Sequence, residues 1–245
     1  MAFTSFRFIV FLVLAAAAYF LTPKRCRWVT LFVANYVFYF ISGGRIFIYL
    51  LATTVTTYLA TVKIGDMAAK NKIAFNEAKA ELDKEGKKAW KAAFAKKKKR
   101  ILIPTLLFNF GILAVPKYSG FVTENLNLLF AKIGIGTELP VFRFLLPLGI
   151  SFYTFQSMGY LIDVYREKQE PERNFCKLAL FISFFPQIVQ GPISRFGTLA
   201  EQLFRANEFS YTRIKFGVQL MLWGAFKKMV IADRAAVLVD NAFGF

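Results

Sequence analysis

The chain has 245 residues, 56% hydrophobic and 18% aromatic with 30 phenylalanines, and a positive mean hydropathy, which excludes an ordinary soluble domain of this length. Its formal charge of +17 comes from lysines and arginines gathered in loops between apolar runs, the distribution expected of a membrane protein's cytoplasmic loops and not of a nucleic-acid-binding stripe. No histidine is present, so the side chain that most often serves as a general base near neutral pH is not supplied by these residues.

The first apolar run, 8–21, follows Arg7 and ends near Ala15 to Ala18, a pattern shared with signal peptides. Lys24, Arg25 and Arg27 outnumber Arg7, so the basic side lies after the run and a retained helix with its N-terminus outside is expected. Further spans are expected at 28–41, 46–64, 101–115, 139–162, 175–189 and 214–232, with 6–21 as the first. Those near Trp28 and Phe175 are short for a crossing helix, which needs about 20 residues, and read as tilted, broken or re-entrant. Basic loops alternate along the chain, which places the strongly basic ones together on the cytoplasmic side. Cys26 and Cys176 lack neighbours at metal-ligand spacing and read as free thiols.

Residues 71–100 form the long polar stretch. Phe75, Ala78, Leu82, Ala89, Trp90, Ala93 and Phe94 recur at three- and four-residue spacing among lysines, which predicts one basic amphipathic helix lying on the cytoplasmic membrane face. Lys96 to Arg100 then form a basic run before the span at 101–115. Beyond Pro116 a short surface helix is expected around Asn125 to Phe130, broken by Gly134 and Gly136.

Two later segments carry the polar residues of interest. On a helix, Tyr153, Gln156, Tyr160 and Asp163 share one side, and Ser151, Thr154, Phe155, Met158 and Ile162 another. Such a stripe faces the protein interior, either as helix-helix glue or as the lining of a passage, and the residues by themselves favour glue. In the run Phe184 to Arg195, Pro186 and Pro192 remove backbone donors, Gly191 loosens the chain, and Gln187 and Gln190 bring amides into an apolar segment. A broken helix lining a wet cavity satisfies all of these. Asp163 and Asp233 sit beside Arg166 and Arg234 and read as ionised structural carboxylates; Arg143 reads as snorkelling to the surface.

Three motifs, Leu146 to Arg166, Phe184 to Arg195, and Leu222-Trp223-Gly224-Ala225-Phe226-Lys227-Lys228 through Arg234, occur in the order and spacing of the membrane-bound O-acyltransferases. The bacterial branch acting in alginate O-acetylation and teichoic-acid D-alanylation is the nearest in likeness. Leu107-Phe108-Asn109-Phe110-Gly111 and Lys117-Tyr118 resemble the family's first half with less specificity. The resemblance implies an all-α integral membrane protein of the bacterial cytoplasmic membrane: a multi-helix bundle with a broken or re-entrant segment, read here as a single membrane domain over 1–245 with an incomplete core. It also implies O-acetylation of an exported polysaccharide or envelope glycan. The donor would be an acyl thioester, acetyl-CoA or an acyl carrier, and the partners the lipid bilayer, an acyl-carrier protein or an extracytoplasmic transferase, with no bound cofactor and no nucleic acid. The family's catalytic histidine falls downstream of the Lys-Lys segment, so the chain reads as the first half of such an enzyme. What it contributes under this resemblance is tunnel wall: Tyr153, Gln156 and Tyr160 along the path, with Gln187, Gln190 and Arg195 positioning polar parts of donor or acceptor. Packing or repair of the helix break is the equal alternative for each. Two other classes stay open: a non-catalytic scaffold recruiting an acidic partner through its basic face, and a transporter, which the lack of an internal repeat weakens.

Overall fold

A computed structural model describes residues 5–43, 47–80, 82–134, 139–140, 144, 147–188 and 191–244. These are helical, with no strand among the described residues. The helices are α1 (Phe6–Leu21), α2 (Arg27–Gly43), α3 (Phe47–Ala78), α4 (Lys84–Lys132), α5 (Ile150–Tyr165), α6 (Phe175–Ser183), α7 (Phe185–Ile188), α8 (Phe196–Phe204), α9 (Tyr211–Phe226) and α10 (Asp233–Phe243). A π-helical stretch, Lys227–Ala232, joins α9 to α10. Two of them, α3 and α4, are long and apolar enough to cross a membrane. The chain divides into two compact units, one of residues 1–27 with 206–245 and one of residues 28–205.

In the first unit α1 has the bounds its sequence predicts. Ser5 caps it by accepting the Phe8 amide at 3.3 Å, and the residue before Pro23 leaves helical geometry. Arg27 donates to the carbonyls of Thr22 and Asn207 and lies over the Tyr19 ring at 5.4 Å, while Lys24 pairs with Glu208 at 2.6 Å. Phe20 meets Phe209 edge-on at 5.3 Å. Asp233 is paired with Lys228 at 3.1 Å, not with the neighbouring Arg234 expected from sequence.

The second unit is built on α3, α4 and α5, which pack on one another, with α6 against α3 and α5, α7 against α5, and α8 against α6. Small hydroxyl residues let α3 approach closely: Thr53, Thr54, Thr57 and Thr61 are all buried. Thr54 and Thr61 satisfy their hydroxyls on carbonyls one turn back, at 2.8 Å each. Asn109 of α4 is buried between Thr56, whose hydroxyl donates to its Oδ1 at 2.9 Å, and Thr57, to which its amide donates at 3.3 Å. An asparagine in an apolar span thereby locks two helices together.

Three expectations are corrected here. The amphipathic helix expected over 71–100 is instead a helical hairpin, with α3 running on to Ala78 and α4 starting at Lys84. Asp83 caps α4 by accepting the Gly86 amide at 2.7 Å, and across the hairpin Trp90 Nε1 donates to Asn71 Oδ1 at 3.0 Å while the Phe75 and Trp90 rings lie 6.1 Å apart. The aromatic residues pack on each other because a turn lets the two apolar faces meet. Secondly, α4 continues through Pro104 and Pro116 to Lys132, so the span expected to end at Val115 and the separate helix near Asn125 are one element of about 73 Å at the usual rise. Proline is tolerated within membrane-type helices where neighbours re-satisfy the backbone. Thirdly, the helix expected from 139 begins only at Ile150. Asn127 binds both the Leu139 carbonyl (2.9 Å) and amide (2.8 Å), which takes that residue's backbone out of helical pairing. Arg143 and Leu146 lie outside the described residues.

Candidate functional site

The segment after α5 folds as its prolines dictate. Helix α6 ends at Ser183, Phe184 takes an extended ψ of 103°, and the four-residue α7 restarts with Pro186 in its first turn, where the missing donor is harmless. A break of this kind leaves backbone groups unpaired in the interior, and side chains from two other helices answer them. Asn35 of α2 accepts the Phe185 amide at 2.7 Å and donates to Ser183 Oγ. Gln156 of α5 donates to the Phe181 carbonyl at 2.7 Å. Ser183 in turn donates to Ala179 O at 2.6 Å. The Phe38 and Phe185 rings, 4.9 Å apart, close the apolar side.

The start of α5 is fitted to this break. Gly149 has φ +69°, and a Cβ there would overlap both the side chain and the carbonyl oxygen of Ile188, so only glycine combines the left-handed turn with the close approach. Gln187 Nε2 donates to Ser194 Oγ at 2.7 Å, and Gly191 N to Gln187 O at 2.6 Å, which ties the chain after α7 into a tight turn.

One helical turn from the repair residues lies a different group. Tyr39 follows Asn35 by four residues on α2, and Tyr153 precedes Gln156 by three on α5, so each tyrosine shares a face with a residue that mends the break. The hydroxyls of Tyr39, Thr53, Tyr153 and Thr154, and the amide oxygen of Gln187, are buried without a hydrogen-bond partner among the described residues. An unpaired buried hydroxyl costs about 1 to 3 kcal/mol, so each of these groups gains by a guest, or water, that hydrogen-bonds to it. Buried hydroxyls can orient a polar guest; they do not provide a base at neutral pH. Among the described residues no three cysteine, aspartate or glutamate side chains converge as metal ligands.

The six residues expected to line a passage therefore separate. Tyr153 and Gln187 keep a free buried polar atom. Gln156 is spent on the break. Tyr160 accepts the Glu172 amide at 2.6 Å and its ring is held by Phe196 at 4.8 Å. Arg195, with its side chain 73% exposed, pairs with Asp163 at 3.2 Å, so Asp163's partner is Arg195 and not the expected Arg166. Gln190 lies outside the described residues. Tyr39 and Thr53, which sequence reasoning passed over, join the site. Their segments are apolar or hydroxyl-rich on every side, so periodicity does not mark which face looks inward.

An all-helical chain with two membrane-length helices and an interior helix break is the class of protein these observations define. Over 99% of its length it is 32% identical to the probable alginate O-acetylase AlgI of Pseudomonas aeruginosa and 33% identical to that of Azotobacter vinelandii, covering 42% and 44% of those proteins. It is also 33% identical to the peptidoglycan O-acetyltransferase of Helicobacter pylori, over 59% of this chain and 31% of that protein. The chain is thus similar over nearly its whole length to part of the alginate O-acetylases, which are membrane-bound O-acyltransferases. It spans less than half the length of these curated relatives. No protein-family profile matches it, and no solved structure does.

Proposed function

We propose that these residues form part of the wall of an acyl-transfer passage in a bacterial cytoplasmic-membrane O-acetyltransferase acting on an exported polysaccharide or envelope glycan. The observation that carries this reading is the pair of buried phenols, Tyr39 and Tyr153, without a hydrogen-bond partner among the described residues and one helical turn from the side chains that mend a helix break, in a chain related to alginate and peptidoglycan O-acetyltransferases. In such a reaction a base removes the acceptor hydroxyl's proton, the oxygen attacks the thioester carbonyl, and the thiolate leaves with a proton, while the apolar wall keeps out competing water. The donor is an acyl thioester, either acetyl-CoA or an acyl-carrier protein, reaching the passage from the side of the basic loops. Tyr153 and Tyr39 donate hydrogen bonds that orient polar groups in transit, and Gln187 adds an acceptor. These residues include no histidine, so the wall, and not the base, is their contribution.

The test is labelled-acetyl transfer to an oligosaccharide by the full-length protein carrying Tyr39→Phe and Tyr153→Phe together. Loss of one useful hydrogen bond of about 1.4 kcal/mol predicts roughly a tenfold slower rate with unchanged thermal stability. Wild-type rates from the double variant sink the reading. The exposed lysines of α4, Lys96, Lys97 and Lys99 among them, favour a second reading, a scaffold that recruits an acidic partner. Charge-neutral substitutions there that abolish partner co-purification, with Tyr39 and Tyr153 dispensable for transfer, select that reading instead.

A further inference from the structure

Away from the helix break, the hairpin of α3 and α4 and the loop after α5 enclose a groove of about 810 Å³. At Gly65 a Cβ would overlap the Pro171 ring, so the loop can lie directly on α3 only because that position is bare. Gly65, Ala68, Ala69 and Ala95 give it a smooth apolar floor, and Phe75, Trp90 and Phe94 an aromatic wall.

Two of the four cations in the lining are already neutralised. Lys98, nearly buried, donates to Glu167 Oε1 at 2.5 Å and to the Tyr165 carbonyl at 2.9 Å, and lies over the Phe94 ring at 4.8 Å. Arg173 is paired with Asp66 at 2.7 Å. Lys72, on α3, and Lys91, on α4, also line the groove; both are exposed. They flank the Asn71 to Trp90 hydrogen bond that zips the hairpin, one on each arm. The groove thus presents two ammonium groups held apart by a fixed strut over an apolar, aromatic floor. Among the described residues the one further carboxylate in the lining, that of Glu170, leaves the balance positive.

We propose that this groove binds a phosphate ester, with Lys72 and Lys91 as its cationic ligands and the alanine and aromatic floor taking the ester's organic part. The inference is independent of the acyl-transfer reading. Two sources carry this chemistry: an anionic phospholipid headgroup, reached where α3 passes from its apolar stretch to Lys63, Asp66 and Lys70, and a soluble phosphate ester such as a nucleotide.

Native mass spectrometry of the full chain, released from bilayer discs with and without phosphatidylglycerol and in the presence or absence of ADP, distinguishes them. Lys72→Gln with Lys91→Gln is compared with Lys96→Gln and Lys99→Gln, an equal loss of charge on exposed residues outside the groove. If the headgroup is the ligand, retained phosphatidylglycerol falls about tenfold in the first pair and stays unchanged in the second, at roughly fivefold per lysine or less. If a soluble ester is the ligand, ADP binding shows that dependence and phosphatidylglycerol does not. Ala68→Phe, which fills the groove and keeps every charge, lowers the same signal. Equal behaviour of the two lysine pairs toward both ligands, in chains of native helicity by circular dichroism, overturns the proposal.

Discussion

Asn35 and Gln156 stand one helical turn from Tyr39 and Tyr153, yet the two pairs meet opposite fates. The amides mend a broken helix with hydrogen bonds to its backbone; the phenols are buried too and find no partner among the described residues. A polar residue in an apolar interior is thus no guide to function until its partners are counted. Where the partner is the protein's own backbone, removal costs stability. Where there is none, removal costs only what a guest would have used.

The largest effect in this contrast is expected at Gly149. Gly149→Ala forces a left-handed φ on a Cβ and drives it into Ile188, a loss of about 3 kcal/mol or more from backbone strain and overlap together. Thermal unfolding in detergent measures it, and a variant as stable as the parent removes the claim that α5 and α7 are fitted at this point. Next comes Asn35→Ala, which strands the Phe185 amide and the Ser183 hydroxyl's acceptor and costs roughly 2 to 4 kcal/mol. Asn35→Asp, which keeps an acceptor for the amide, recovers part of the backbone bond and is the control. Tyr153→Phe goes the other way: it deletes an unpaired hydroxyl, and stability stays level or rises by up to about 1 kcal/mol. A clear drop in melting temperature would mean that its hydroxyl is bonded after all and that the contrast with Asn35 fails.

The smallest effect lies in the first unit, at Glu208. Its hydrogen bond with Lys24, and the charge of that lysine, hold its carboxyl below the ordinary value. A depressed carboxylate contributes above its unfolded pKa and loses that contribution as pH falls through the lower folded one, so the pair acts at neutral pH and fades in acid. Carboxyl NMR should show Glu208 titrating below the ordinary glutamate value, and Lys24→Gln should move it back up. Full exposure keeps the effect on stability slight.

How far the sequence foretells these features depends on what kind of signal each leaves. The bounds of α1 and the break at Phe184 are legible because a serine cap and a pair of prolines act locally. The hairpin at 79–83 left a legible mark too, Asp83 three residues before Gly86, but the recurrence of apolar residues across 71–100 masks it. Continuity of α4 through Pro116 is set by neighbouring helices and has no local sign. At the site, the residue types along α5 point to the interior correctly, while the division of labour among Tyr153, Gln156 and Tyr160 follows from backbone groups of α6 and the loop after α5 that no spacing rule connects to them. Tyr39 and Thr53 escape for a simpler reason: in a helix apolar all round, inward and outward faces look alike.

Ending α6 inside the protein also leaves an electrical mark. An α-helix carries roughly half a negative charge at its C-terminus, and α6 brings that pole to Phe181 through Ser183, where Gln156 and Ser183 blunt it only in part. The four residues of α7 are too few to set up an equal and opposite pole. A group brought against that pole is therefore favoured if it is neutral and carries a proton, such as a sugar hydroxyl or an amide, and disfavoured if it is a carboxylate. Any guest sorted by that pole is chosen for its charge before its shape is tried.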